Sequence, residues 1–330
     1  MYFDFLLTIA LSQQLAPVHL YNNKKNGIIV DVEITKNIET AQLVLCDADF
    51  TKISNVAAIT SGTHDITRRI PEIQELTRPA LLQLCVDGKS VGTPIWIQPL
   101  LSREIPIVEE AIRPNGETKY TKIIDWENEA KEDGFETPII SGWRVYKSQD
   151  AIFETSKGEI HVRLRPDAAP NTAWNFMKLV NGGFYNNTVF HRIVPMTSKG
   201  QPFVIQGGDP TGTGSGGPGY WLPIENSNLP HDFGVLSMAR ASDPDSAGSQ
   251  FFFCLSREGT ARLDGQYCSF GTTISGGEVI KSIATAQLAN PSLGTPQNPP
   301  LVNSIELVDA PPILICVPNR VPREDALYNQ

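Results

Sequence analysis

Turn-forming residues interrupt this chain so often that long helices are nearly ruled out. Its 330 residues include 26 glycines and 25 prolines, distributed along the whole length. The apolar runs between them are about four to eight residues long, which suits strands better than helices. Hydrophobic residues make up 41% of the chain and charged residues 19%, so a packed core is available and global disorder is not expected. The expectation is a mainly β, turn-rich protein of two domains or one large one.

Charge and cysteine usage narrow the chemistry. Lys+Arg 27 against Asp+Glu 36 leaves a net charge of −9, with a pI near 5.1 and no long basic run. Neither nucleic acid nor an anionic membrane surface is an expected partner. No apolar run approaches the ~20 residues a spanning helix needs. The five cysteines (Cys46, Cys85, Cys254, Cys268, Cys316) are odd in number and dispersed. Without C-x-x-C or Cys/His spacing they read as small buried apolar residues, and no metal or other cofactor is expected. At the N-terminus, residues 5–11 are apolar and Ala10-Leu11-Ser12 has the small-x-small form of a signal-peptidase site. A cationic n-region is missing, because Asp4 is the only charge before Lys24. Export to the periplasm or cell envelope, and a first β-strand in a cytoplasmic protein, both remain open.

Five stretches follow from composition and period. Residues 1–12 are the candidate signal segment. Residues 13–113 read as an N-terminal β-rich domain, with alternation at residues 30–34, further runs at 42–46, 81–86 and 91–97, and a hairpin turn at Asp87-Gly88-Lys89. Residues 114–147 are charge-rich and read as a connector, with Trp126 and Trp143 as packing anchors. Residues 148–309 form the informative domain, and residues 310–330 a Pro-rich, extended tail. Within the informative domain, residues 151–155 and 159–164 alternate as strands. Residues 170–180 form the one clear amphipathic helix, with Pro170 near its start, Gly182-Gly183 after its end and Trp174, Met177 and either Phe176 or Val180 on its apolar stripe. A second, short helix is expected near residues 277–283.

Several tempting motifs fail on context. Gly212-Thr213-Gly214-Ser215-Gly216-Gly217 satisfies G-x-G-x-x-G, but Pro218 and Pro223 follow and no helical period begins there, so it reads as a loop. His231-Asp232 with a serine could suggest a hydrolase triad, yet no G-x-S-x-G elbow accompanies it. Asp209, Asp243, Asp245 and Asp264 sit in Gly/Pro-rich stretches and read as turn formers. Phe203, Phe252 and Leu263, taken singly, read as core, and Arg192 as a surface charge.

One ordered set rises above these. It runs from Phe184-Tyr185-Asn186-Asn187-Thr188-Val189-Phe190-His191-Arg192-Ile193-Val194-Pro195 to Phe203-Val204-Ile205-Gln206-Gly207-Gly208-Asp209-Pro210. Gly234-Val235-Leu236-Ser237-Met238-Ala239-Arg240 and Ser246-Ala247-Gly248-Ser249-Gln250-Phe251-Phe252-Phe253 follow, and Leu263-Asp264-Gly265-Gln266-Tyr267-Cys268-Ser269-Phe270-Gly271 completes it. In this order the set resembles the cyclophilin family of peptidyl-prolyl cis/trans isomerases, over about residues 150–309. Ser237-Met238-Ala239-Arg240 and Asp243-Pro244-Asp245-Ser246 look like its bacterial branch.

The resemblance implies a closed eight-stranded antiparallel barrel with two helices, preceded here by the small all-β domain. It implies prolyl isomerisation without a cofactor, acting on X-Pro segments of unfolded or flexible polypeptides. Arg192 would stabilise the twisted prolyl amide, assisted by Gln206. Phe203, Val204, Phe252 and Leu263 would hold the proline ring, with Tyr267 as an aromatic wall. Ala239 and Arg240 would offer backbone groups, and Gln250 its side-chain amide, to the extended peptide.

Departures from the family pattern also carry expectations. Tyr267 stands where His is usual, Val204 where Met is common, and residues 196–202 form a longer segment than usual. Arg262 replaces a common Trp, so cyclosporin-type ligands should bind weakly. The rival to the enzyme is a non-catalytic proline-peptide-binding or chaperone-like module.

Overall fold

The computed structural model describes residues 14–34, 38–112, 119–129 and 139–316. The candidate signal segment lies outside these, as do residues 114–118 and 130–138 of the connector and 317–330 of the tail. Two compact units divide the chain. One takes residues up to Leu100, then Ile140–Ser148 and the stretch from Ala310; the other takes Leu101–Ile139 and Gln149–Asp309.

The first unit is all-β apart from two short helical segments, one at Ile66–Arg69 and a 3-10 turn at Pro71–Glu75. Its strands are β1 (Gln14–Pro17), β2 (Tyr21–Asn23), β3 (Ile29–Glu33), β4 (Ala41–Cys46), β5 (Lys52–Ala57) and β6 (Gly62–Asp65), followed by α1 (Ile66–Arg69), β7 (Ala80–Val86) and β8 (Lys89–Leu101). After β9 (Glu104–Ile112) and β10 (Lys119–Asn128), which belong to the second unit, β11 (Ile140–Lys147) returns. The strands form a three-stranded sheet, β1-β3-β6, and a six-stranded sheet, β2-β11-β8-β7-β4-β5. Alternate residues of both enter one buried cluster, including Leu15, Val30, Leu43, Leu82, Ile97 and Trp143. Trp143 is therefore core of this unit, its indole N–H donating to the Ile73 carbonyl at 3.2 Å. The β7–β8 hairpin closes at Asp87-Gly88 as read from sequence, both with positive φ (44° and 73°), the twist a two-residue hairpin favours.

The cysteines depart from expectation. Cys85 and Cys316, 231 residues apart, form a disulfide, while Cys46, Cys254 and Cys268 remain buried thiols. Burial, above all, pushes those three thiols up to about 12. Beside the disulfide, Ile313 N–H donates to Gln83 Oε1 at 3.0 Å and Ala310 N–H to the Ser148 carbonyl at 2.9 Å. The described start of the tail is thus stitched to the sheet of its own unit.

In the second unit β12 (Gln149–Thr155), β13 (Gly158–Leu164), α2 (Pro170–Asn181), β14 (Thr188–Val189), β15 (Arg192–Val194), β16 (Val204–Gly207) and β17 (Val235–Met238) come first. Then follow β18 (Phe251–Cys254), α3 (Arg257–Thr260), β19 (Ser269–Ser275), α4 (Gly277–Ala284), β20 (Leu288–Asn290), β21 (Thr295–Pro296) and β22 (Leu301–Asp309). The main sheet runs β14-β22-β12-β13-β19-β17-β18-β16-β15, with antiparallel pairs. Its two ends, β14 and β15, are halves of one stretch, residues 188–194. One half pairs with β22 and the other with β16. Counted once, that stretch closes an eight-stranded barrel, as the resemblance implied.

Pleating sorts the side chains. Ile193, Ile205, Phe253 and Leu236 are cross-strand partners and all fully buried. Phe153, Phe176, Phe251, Phe253 and Phe270 are fully buried too, with ring centroids such as Phe153–Phe253 at 5.3 Å and Phe176–Phe270 at 5.3 Å. Burying each such ring contributes about 1.5–3 kcal/mol. Helix α2 presents Ala173, Phe176, Met177 and Val180 to this core. Trp174 falls off that stripe and lies partly exposed under Lys178, whose Nζ is 5.8 Å from the ring centroid. Ala169 offers α2 no side-chain cap. Glu225 supplies it from a distant loop, accepting from Asn171 N (2.9 Å) and Thr172 N (2.7 Å). Helix α4 spans the residues expected for the second helix.

Replacing both Cys85 and Cys316 by Ala should lower the stability of the first unit by about 2–4 kcal/mol under oxidising conditions. Denaturant titration of that variant beside the parent checks this.

Candidate active site

Three neighbouring strands carry the polar and aromatic residues singled out in the sequence. In the β15–β16 ladder Arg192 faces Gln206, and in the β16–β18 ladder Gln206 faces Phe252. The three side chains therefore form one row on one side of the sheet, spanning about 10 Å at ~4.8 Å per strand. Two residues along, Val194, Val204 and Cys254 make the next row on the same side. The intervening positions, Ile193, Ile205 and Phe253, point into the barrel. Local alternation alone thus puts the row on the barrel's outer side.

The floor beside this row is apolar. Val204, Val235, Phe252, Cys254 and Leu263 form a buried cluster, with Phe203, Val194, Ala239 and Tyr267 packed partly buried against it. Tyr267 meets Phe252 edge-on, with centroids 5.7 Å apart and planes at 84°. Arg262, one residue before Leu263, lays its guanidinium 4.7 Å from the Phe203 ring centroid. The position where an indole is common is thus filled by a cation over an aromatic face.

The other edge is a hydrogen-bond chain. Arg192 Nη1 donates to Gln206 Oε1 at 3.2 Å, and Gln206 Nε2 to Gln250 Oε1 at 2.9 Å. Gln250 Nε2 in turn donates to the carbonyls of Gly214 (3.0 Å) and Gly216 (2.8 Å). These carbonyls belong to the glycine-rich loop, which is wound around Asp209. That carboxylate accepts from Thr211 N (2.7 Å), Gly214 N (2.6 Å) and Gly216 N (3.0 Å). Burial alone would raise Asp209, but the backbone donors outweigh it and hold the carboxyl down at about 2. A Cβ on Gly216 would collide with the Asp209 carboxylate, so a larger residue there would push that anchor aside. The loop is a scaffold for Gln250, and the G-x-G-x-x-G pattern follows from winding round a carboxylate.

Ala239 and Arg240 follow β17. The Ala239 N–H donates to the Gln250 carbonyl at 2.8 Å. Arg240 donates through Nε to the Gln266 carbonyl (3.0 Å) and through Nη1 to those of Ala241 (3.0 Å) and Ser242 (3.1 Å). Its guanidinium carbon lies 4.8 Å from the Tyr267 ring centroid. The structure brings all ten predicted residues into the second unit, on this one side of the barrel. The longer segment at residues 196–202 closes on itself, Thr197 N–H donating to Gln201 O at 2.8 Å, with Met196 exposed.

Sequence reasoning missed two features. A cavity of about 900 Å³ opens beside Gln206, lined by Ala239, Arg240, Gln250, Tyr220 and the exposed Trp221. No motif pointed to Tyr220-Trp221, which stand in an irregular loop. Against Phe252, His231 Nε2 accepts from Ser237 Oγ at 2.9 Å, and Nδ1 donates to Asp264 Oδ1 at 3.0 Å. Asp232 is not the partner. Ser237 is fully buried and His231 1% exposed, so this triad-shaped chain has no access to a substrate. It is a support: the His231 ring is nearly parallel to that of Phe252 (14°), with centroids 6.0 Å apart.

Known proteins share this unit. The family described as cyclophilin type peptidyl-prolyl cis-trans isomerase/CLD matches residues 151–307. A peptidyl-prolyl cis-trans isomerase of Synechococcus elongatus is 47% identical over 123 residues, which cover 37% of this chain and 79% of that one. The chain belongs to the cyclophilin family. Peptidyl-prolyl cis-trans isomerase B of Bacillus subtilis is 43% identical over 132 residues, 39% of this chain and 86% of that protein. A Cryptosporidium parvum cyclophilin-type isomerase, crystallised in the presence of the dipeptide Ala-Pro, shares 32% identity with a TM-score of 0.44. The match covers 49% of this chain and 99% of that one. Relatives at similar identity come from bacteria, fungi and plants, so the match marks the cyclophilin family rather than its bacterial branch.

Burial, first of all, holds both His231 and His191 below the usual imidazole value of 6.5, so the folded cyclophilin unit takes up their protons only at lower pH than an unfolded chain does. Unfolded chains take up those protons as pH falls through 6.5. Stability is therefore fully present above that value and declines below it. Denaturant midpoints at pH 7.5 and pH 5.5 should show the loss, and His231→Gln should show a smaller difference between the two.

Proposed function

We propose that the second unit catalyses cis/trans isomerisation of X-Pro bonds in unfolded or flexible polypeptides. The observation that carries this reading is the cross-strand row of Arg192, Gln206 and Phe252. An X-Pro bond interconverts over a barrier of ~18–20 kcal/mol because amide resonance must be broken. A catalyst needs to hold the ring and favour the twisted amide over both planar forms. Phe203, Val204, Phe252, Leu263 and Tyr267 take the proline ring on the apolar floor. In the twisted state the prolyl nitrogen regains a lone pair, and Arg192, always protonated, donates a hydrogen bond to it. Gln206 holds the guanidinium in place and meets the neighbouring carbonyl. Gln250 and the Ala239-Arg240 backbone bind the extended chain on either side.

Arg192→Ala separates the enzyme from the binding module. With an X-Pro peptide followed by NMR exchange spectroscopy, the parent should accelerate interconversion, and the variant should lose about 10²- to 10³-fold in rate while still binding the peptide. A folded parent without acceleration would make the unit a proline-peptide binder.

Arg262 over Phe203 supports weak binding of cyclosporin-type ligands. Arg262→Trp should tighten cyclosporin binding by roughly two- to tenfold, as an aromatic wall is restored, and calorimetric titration of both proteins measures this.

A further inference from the structure

Strands β9 and β10 form a two-stranded arm that lies outside residues 151–307 of the family match yet belongs to the same compact unit. A lone two-stranded hairpin is marginal in water, and this one is tethered at two points. At its base Arg103 is ion-paired with Asp245, whose other oxygen accepts from Ile224 N at 3.0 Å. Midway along β10, next to a register shift between Ile123 and Asp125, the Gln266 side chain binds both backbone groups of Ile123. Ile123 N–H donates to Gln266 Oε1 at 2.9 Å and Gln266 Nε2 donates to Ile123 O at 2.8 Å. A primary amide here pairs with the free edge of β10 as a neighbouring strand would. Ile123 is also the buried residue of β10, at 5% exposed, beside Ile124 at 53%.

The two tethers flank the rim of the site described above. Gln266 precedes Tyr267, and its carbonyl accepts from Arg240. Asp245 ends the loop that Arg240 ties together through Ala241 and Ser242. A continuous chain of contacts therefore runs from Ile123 through Gln266 to Arg240, Tyr267 and Phe252.

We propose that the arm is a rim clamp on the prolyl site, with Gln266 as the positioning residue: held by Ile123, it sets Arg240 and Tyr267 for the polypeptide flanking the proline. The clamp acts on how tightly the peptide is held, and Arg192, on β15 of the barrel sheet, keeps its turnover. This rests on the isomerase reading for its kinetic form, and its binding form stands without it.

The test uses the full chain and Gln266→Ala, with Gln266→Asn and Arg103→Ala beside it. Hydrogen exchange at the Ile123 amide reports the tether, and NMR kinetics and titration on one X-Pro peptide report KM, kcat and Kd. Loss of two neutral hydrogen bonds predicts faster exchange at Ile123, a KM and Kd raised roughly three- to tenfold, and kcat within about twofold. Arg103→Ala should move KM and Kd the same way by a smaller factor. Unchanged KM and Kd despite a released Ile123 overturn the proposal, as does unchanged exchange, or a fall in kcat alone. A parent without turnover sinks the isomerase reading, and the clamp is then judged on Kd and exchange. If Gln266→Ala fails to fold, Gln266→Asn and Arg103→Ala carry the same criteria.

Discussion

Strand pleat is the constraint on which the second unit depends. Each strand must send one set of side chains into the barrel and the next out of it, and the same four-residue stretches serve both. Ile205 fills the core because Val204 and Gln206 do not, and Phe253 does so because Phe252 does not. A one-residue slip of β16 against β18 would bury Gln206 and expose Ile205. The aromatic packing of Phe153, Phe176, Phe251 and Phe253 thus fixes the register that aligns Arg192 with Gln206 and Phe252. Core and site are two faces of one arrangement.

Much of that arrangement was legible in the chain. Strand alternation, the helix after Pro170 and the five ordered motifs are local patterns, and a site assembled from adjacent strands writes itself into short stretches. What escaped reading depends on partners far away in sequence. Glu225 caps a helix more than 50 residues before it. His231 finds Asp264 rather than its neighbour Asp232. Cys85 meets Cys316, and nothing in the spacing of dispersed cysteines marks two of them as partners. Trp174 left the expected stripe because Ala173 and Phe176, three apart, make a better-packed face toward the barrel. Strands β9 and β10 carry charge on both faces, cross-paired as Lys119–Glu110 and Lys122–Glu109, so no apolar alternation announces them.

Carboxylates do the organising in the irregular parts. Asp209 gathers the glycine-rich loop, Asp264 joins His231 to Arg257, Asp245 receives Arg103, and Glu225 caps α2. Each satisfies backbone or cationic donors that no strand could reach. Turn-forming Asp, read from sequence as a conformational preference, is in the folded chain a set of junctions between loops and barrel.

The stretch at residues 188–194 has a consequence for the order of events in making the protein. Arg192 lies on the segment whose first half waits for β22, since Thr188 pairs with Val302. Emerging from a ribosome, the chain can join β15 to β16 early but cannot seal the barrel until residues past 301 are out. A growing chain of this kind has no finished rim to offer its own prolines. Its competence begins only with the last strand, so activity in a sample counts the molecules whose two barrel ends have met.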